Sequence, residues 1–230
     1  MPERPNKTIL TSTTNEGKDQ MKKLLEYGGI AASVVLIAFG IGAIVTGFNG
    51  RDQVRHDLGQ EQIVGTPDMS PKAIAGEAKG AGLKSVSVPS KSVANQKINT
   101  GARAHTFAQY MRIHALEATG GQTYAQMARY MGKNGKPTND QKAAAVDPKS
   151  GKPVDNPARN VWVTETALTT ALNTSFFAEQ VSMFAVVMGI ALLLSGIGFG
   201  VVTLRVLRRR EPAEAKQAQP KPSSEVALAS

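Results

Sequence analysis

The chain has 230 residues, 27 of them basic and 18 acidic, a net charge of +9 and no cysteine. The missing cysteines exclude a disulfide framework and a cysteine zinc site, and aromatics at 5% leave any water-soluble core thin. The charge is spread, with five basic and four acidic side chains in the first 26 residues, 16 and 11 from Arg51 to Gln180, and six and three from Arg205 onward; no stretch interleaves Arg or Lys with stacking aromatics, so no nucleic-acid partner is expected.

Residues 1–26 are polar and are expected to be a disordered N-terminus. Tyr27 to Phe48 is an uninterrupted apolar run of 22 residues, roughly 33 Å as a helix against a hydrocarbon core of about 30 Å. The run is too long for a cleaved signal peptide, and the exit Phe48-Asn49-Gly50-Arg51 lacks a small-residue cleavage pattern, so it reads as an uncleaved anchor. Val54, Leu58 and Ile63 continue an apolar stripe that is expected to stop at Gly65-Thr66-Pro67.

Ser70 followed by Pro71 has the form of a helix start leading into Lys72 to Ala81. Residues 82–99 read as an irregular connection. Thr100 is positioned to cap the next helix, in which Ala104, Phe107, Ala108, Met111, Ala115 and Ala118 make an apolar face before Gly120-Gly121 ends it. A shorter helix is expected from Thr123 to Met131, with Tyr124, Met127 and Met131 inward. From Gly132 to Pro157, four prolines and several lysines predict a mobile loop, and Gly132-Lys133-Asn134-Gly135-Lys136 within it a turn.

Helical character resumes at Ala158, and Leu168, Leu172 and Phe176 lead without a breaker into the second apolar run, Val181 to Leu207. One continuous helix is the simplest account, with Trp162 near its start either in the domain core or at its tip. The tail, residues 208–230, is rich in Pro, Ala, Lys, Glu and Ser and is expected to be disordered.

Charges near the spans set the expected topology. Lys22 and Lys23 precede the first, and Arg205, Arg208, Arg209 and Arg210 close the second. Both termini are therefore expected in the cytoplasm and residues 49–180 outside it, in a plasma membrane. Arg51 and Arg55 at the far end weaken the contrast, beside Asp52 and Asp57 and with Glu179 before the second span, and leave the inverted hairpin as the alternative. Small residues at four-residue spacing, Ala38 with Gly42, Ala43 with Gly47, and Gly196 with Gly200, mark the expected helix-packing faces, toward the same chain or a second copy.

The fold class expected is all-α, a two-transmembrane-helix hairpin with a small helical extracytoplasmic domain. The early span, the segments QEQIVGTPDMSP, TGARAHTFAQYMRIHALEATGGQTYAQMARYM and NVWVTETALTTALNTSFFAEQ, and the second span together resemble a largely uncharacterised family of actinobacterial two-span membrane proteins, over most of residues 20–205. Members often carry the label of an aromatic ring-opening dioxygenase. The resemblance implies a cell-envelope location and supplies no catalytic residues.

That label requires two histidines and a carboxylate on one face. His114 and Glu117 share a helix face, but His105 lies on the opposite side and His56 on another segment. There is no GxSxG elbow and no phosphate loop. The sequence nominates no catalytic, cofactor-binding or metal-ligating residue and no cofactor. The reading is a non-enzymatic envelope interaction or structural accessory protein, with the lipid bilayer and a membrane protein or its own copies as partners. A small-ligand or lipid-binding sensor is the alternative, and a metal-dependent dioxygenase the third.

Overall fold

The computed structural model describes the backbone of residues 9–84 and 86–208, and side chains over that range except at 9–19, 22 and 206–208. The described chain is mostly helical: α1 (Ile9–Gln60), α2 (Pro71–Gly80), α3 (Gly101–Ala118) and α4 (Pro157–Arg208), with two short strands, β1 (Tyr130–Met131) and β2 (Pro137–Thr138). It divides into two compact units, one made of the described residues up to Thr46 and from Ala185 on, the other of Gly47–Phe184.

In the first unit α1 and α4 lie antiparallel, backbone against backbone. A Cβ added to Gly189 would stand 2.7 Å from the Gly40 carbonyl oxygen, and one on Gly40 would stand 2.8 Å from that of Gly189. Further along, Ser33 Oγ donates to the Gly196 carbonyl at 2.6 Å, and Gly29 faces Thr203. Large side chains point the other way, with Phe39, Leu194 and Phe199 each more than half exposed. A water-soluble helix pair buries its large residues and exposes small polar ones; the reverse suits a lipid solvent. Both helices are long and apolar enough to cross a membrane, and their most apolar windows are only 11% and 17% buried, unlike the core helix of a soluble protein.

The second unit has a compact core. Ile74 and Ala78 of α2, Phe107, Tyr110 and Ile113 of α3, Leu58 of α1 and Leu172 of α4 form it together with Val93 and Ile98. α2 begins as its sequence dictates, with the Ser70 side chain accepting from the Ala73 N–H and Pro71 in the first turn. Thr100 caps α3 by accepting from the Arg103 N–H. The α3 face is broader than the apolar spacing suggests: Tyr110 and Ile113 are fully buried because the helix is packed on several sides, whereas Ala118 is exposed. The Tyr110 hydroxyl donates to the Lys91 carbonyl at 2.9 Å, and burial pushes its pKa up. Trp162 sits in a satellite cluster with Ala115 and Met127, which places it in the core.

Several expectations are corrected. α1 starts at Ile9, inside the stretch expected to be disordered; extending an already formed helix costs little, and Lys, Leu, Glu and Gln between Asn15 and Glu26 are good helix formers. α1 also ends at Gln60, five residues before the expected Gly65 stop. Thr123–Met131 is not a helix. Gly120 and Gly121 take φ of +63° and +77°, and the chain then enters an antiparallel ribbon with Tyr130 opposite Thr138 and Met131 opposite Pro137, so the fold is not strictly all-α. Met127 is buried as expected, but Tyr124 lies outside under the Arg159 guanidinium at 3.7 Å. The segment expected to be a mobile loop is ordered by backbone bonds from Met131 N–H to Val154 O (2.9 Å) and from Ala145 N–H to Met131 O (2.8 Å). Its polar residues serve as turn formers: the Asp147 carboxylate accepts from Lys149 N–H at 2.7 Å and the Asn134 side chain from Lys136 N–H at 3.0 Å. Gly132–Lys136 is a turn, with Gly135 at φ +75°.

Candidate functional site

Within the second unit, α3, the first turns of α4 and the Ile63–Met69 segment enclose an open cleft of about 600 Å³. Its walls are apolar, including Phe107, Met111, Val161 and Leu168, and three ionisable side chains break them: Asp68, His114 and Glu165. Asp68 is held by a tight turn in which Ser70 N–H donates to the Asp68 carbonyl at 2.6 Å before the helix cap. His114 projects from α3 with its Nε2 3.5 Å from Asp68 Oδ2. Its Nδ1 is 3.7 Å from Glu77 Oε2 of α2 and 3.9 Å from Glu117 Oε2 one turn further along α3. One donor atom each from Asp68, Glu77 and His114 fall within 4.8 Å of one another, a grouping able to hold a metal ion.

Glu165 is 4% exposed. Its Oε2 accepts from Arg112 Nη1 at 2.8 Å, and the same guanidinium lies 4.2 Å over the Trp162 ring. The ion pair and the cation–π contact fix Arg112 on the α4 surface. Glu165 Oε1 has no hydrogen-bond partner, nor have the buried atoms Asp68 Oδ1 and His114 Nε2.

A second carboxylate of α4 ties the domain together. Glu179 is buried and accepts from the Gly101 N–H at 2.6 Å, Arg55 Nε at 2.9 Å and Arg51 Nε at 3.2 Å. Burial alone would raise its pKa, but these donors outweigh the burial and hold it below the ordinary glutamate value. Gly101 is required here, because a Cβ would stand 2.8 Å from Phe176 Cα. One carboxylate thus joins α1, the N-terminus of α3 and α4.

The expected packing residues divide. Gly196 and Gly200 do make close contacts, and with the same chain: Cβ atoms there would meet the Ser33 carbonyl oxygen at 3.0 Å and Ser33 Oγ at 2.9 Å. Ala38 and Gly42 are exposed, Gly42 with nothing within 4 Å of an added Cβ, and Ala43 is half-buried. On α1 the buried small residues are Ser33, Gly40 and Gly47, seven apart, of which Gly47 belongs to an expected pair and Ser33 and Gly40 do not. On α4, Gly196 meets Ser33 and Gly189 meets Gly40, while Ser182 meets Gly50 and Thr203 meets Gly29; these four α4 residues also recur at seven, as do Glu165, Leu172, Glu179 and Val186. A seven-residue repeat keeps one seam facing a partner along two helices; a search for pairs four apart misses it.

Of the anchors, Lys23 is exposed on α1 and Arg205 on α4. The side chains of Lys22 and Arg208, and the whole of Arg209, Arg210 and the tail, lie outside the described residues. The histidines are dispersed: His56 Nε2 pairs with Gln60, His105 stacks on Phe176 at 4.7 Å and bonds Asn173, and His114 lines the cleft. No two of them meet at one centre, so the two-histidine set of a ring-opening dioxygenase is not assembled among the described residues. Asp68 and Glu77 escaped the sequence reading. Asp68 stands two residues before the Ser70 cap, and Glu77 borders the buried Ile74 and Ala78 stripe of a short helix whose neighbour is set only by the tertiary fold.

The chain matches no family model, no curated protein and no solved structure.

Proposed function

We propose that the chain is an integral plasma-membrane protein in which the apolar parts of α1 and α4 form a two-span hairpin, both termini are cytoplasmic, and the domain between them is extracytoplasmic and works as a non-enzymatic envelope interaction module. The observation that carries this reading is the inversion of the helix pair, with glycines and Ser33 inward and large apolar side chains outward. The Glu179 clamp supports the orientation. It neutralises Arg51 and Arg55 on the side assigned to the exterior, leaving Lys22, Lys23 and the Arg205–Arg210 cluster as the basic flanks that set topology. Cross-linking in intact cells, followed by isolation of the chain and identification of attached proteins, tests the interaction role. A reproducible adduct with one envelope protein or with a second copy is expected, and recovery of an unattached monomer alone would contradict it.

The cleft favours a second reading, a small-ligand or lipid-binding sensor. Its apolar wall and acidic rim suit an amphiphile whose head is neutral or cationic. Native mass spectrometry of the chain extracted in mild detergent would show a bound lipid-sized mass that disappears in Met111→Trp, which fills the cleft. An identical unliganded mass for both proteins would remove this reading.

A further inference from the structure

We propose that Asp68, Glu77 and His114 form a binding site for a divalent first-row transition-metal ion, zinc or manganese, at the rim of the α3–α4 cleft. The mixed set of one imidazole nitrogen and two carboxylate oxygens suits these ions; calcium and magnesium prefer oxygen alone. The spacing also fits. Donors about 2.0–2.2 Å from a tetrahedral ion stand roughly 3.3–3.6 Å from one another, and His114 Nε2 is 3.5 Å from Asp68 Oδ2. That separation is too long for a good hydrogen bond. Glu77 reaches in from α2 on a long side chain, within the 4.8 Å that spans all three donors.

An independent observation points the same way. Asp68 Oδ1 and His114 Nε2 are shut off from solvent without a hydrogen-bond partner, and Glu165, 4% exposed on the wall of the same cleft, also keeps Oε1 unpartnered. Buried polar atoms are nearly always satisfied, so the two orphans on the donor residues themselves, Asp68 Oδ1 and His114 Nε2, support a cation at this cluster. Glu117, with its Oε2 3.9 Å from His114 Nδ1, adds a further negative charge beside the ring, on the same side as Glu77 Oε2 at 3.7 Å. The three ligands come from the Thr66–Ser70 turn, α2 and α3. A bound ion therefore cross-links these elements, and its occupancy sets how firmly the turn at the cleft mouth is held. This inference does not depend on the membrane topology.

The test is isothermal titration of the detergent-solubilised full chain with zinc chloride and manganese chloride, with calcium chloride for comparison. One zinc or manganese ion per chain is expected, binding more tightly than calcium and raising the melting temperature. His114→Gln and Glu77→Gln each weaken binding by more than the roughly tenfold floor seen for loss of an outer-shell partner. Glu61→Gln, a carboxylate outside the site, leaves it unchanged. Glu77 is part-exposed on α2, so E77Q keeps the fold and decides the matter should H114Q alter the circular dichroism spectrum. Absence of stoichiometric binding, wild-type affinity in E77Q, or calcium binding equal to zinc would overturn the proposal.

Discussion

Glu179→Ala removes a buried side chain that bonds α1, α3 and α4 of the domain to one another, and its cost can be worked from the contacts. The Gly101 N–H, bonded at 2.6 Å, loses its acceptor in a buried position, which costs about 1–3 kcal/mol. Arg51 and Arg55 are 31% and 38% exposed and turn back to water, so each pair adds at most about 1 kcal/mol. The sum is about 1–5 kcal/mol with a midpoint near 3, or a fall in melting temperature of roughly 10 °C at about 3–4 °C per kcal/mol. Acidity adds a signature. The folded Glu179 pKa lies below its unfolded value, so the clamp stabilises fully above the ordinary glutamate range and is lost as pH falls through the depressed value. Thermal melts of the solubilised chain by circular dichroism, stepped from neutral into acid pH, should show wild type losing this increment while Glu179→Gln, already lowered at neutral pH, does not. A Glu179→Ala chain that melts with the wild type at neutral pH, or a Glu179→Gln chain that retains the full acid loss, would refute a stabilising clamp at Glu179.

Gly189→Leu should separate α1 from α4, since a Cβ there already meets the Gly40 carbonyl at 2.7 Å, whereas Gly198→Leu, with nothing within 4 Å, should be tolerated; protease resistance and yield of the extracted chain compare the two. Arg112→Ala leaves Glu165 buried without its ion partner and should cost about 2 kcal/mol, since Arg112 itself is half exposed. Because the chain has a single tryptophan and Arg112 covers it, that variant should also change the fluorescence of Trp162. Gly101→Ala, pressed against Phe176 Cα, should lower the melting temperature through about 1–3 kcal/mol of overpacking.

Features governed by local rules were legible in the sequence. Ser70 with Pro71 and Thr100 announce helix starts through capping chemistry contained within a few residues, and the lengths of both apolar runs, free of charge until Arg205 near the end of the second, depend on nothing distant. What failed depended on partners far along the chain. Thr123–Met131 has helical composition, yet Met131 bonds Val154 and Arg129 accepts from Asn156, pairings that no window of ten residues contains. The prolines between Gly132 and Pro157 suggested mobility, while Asp147 and Asn134 supply turns that order the ribbon. The burial of Glu165 and Glu179 was not legible because their counter-ions, Arg112 and Arg51 with Arg55, are 53 and more than 120 residues away. Their seven-residue spacing with Leu172 and Val186 was visible all along, and it placed two carboxylates on the buried seam. The cleft cluster was the least legible part, since Asp68, Glu77 and His114 come from three separate elements.

The absence of cysteine allows the central claim to be tested on single-cysteine chains. Ser150→Cys, in an exposed turn of the domain, and Ser223→Cys, in the tail, would each be treated in intact cells with a membrane-impermeant maleimide, before and after permeabilisation. Labelling of the domain variant in intact cells, with the tail variant reacting only after permeabilisation, is the predicted result; the reverse pattern, or equal protection of both until lysis, would contradict a membrane hairpin with an external domain.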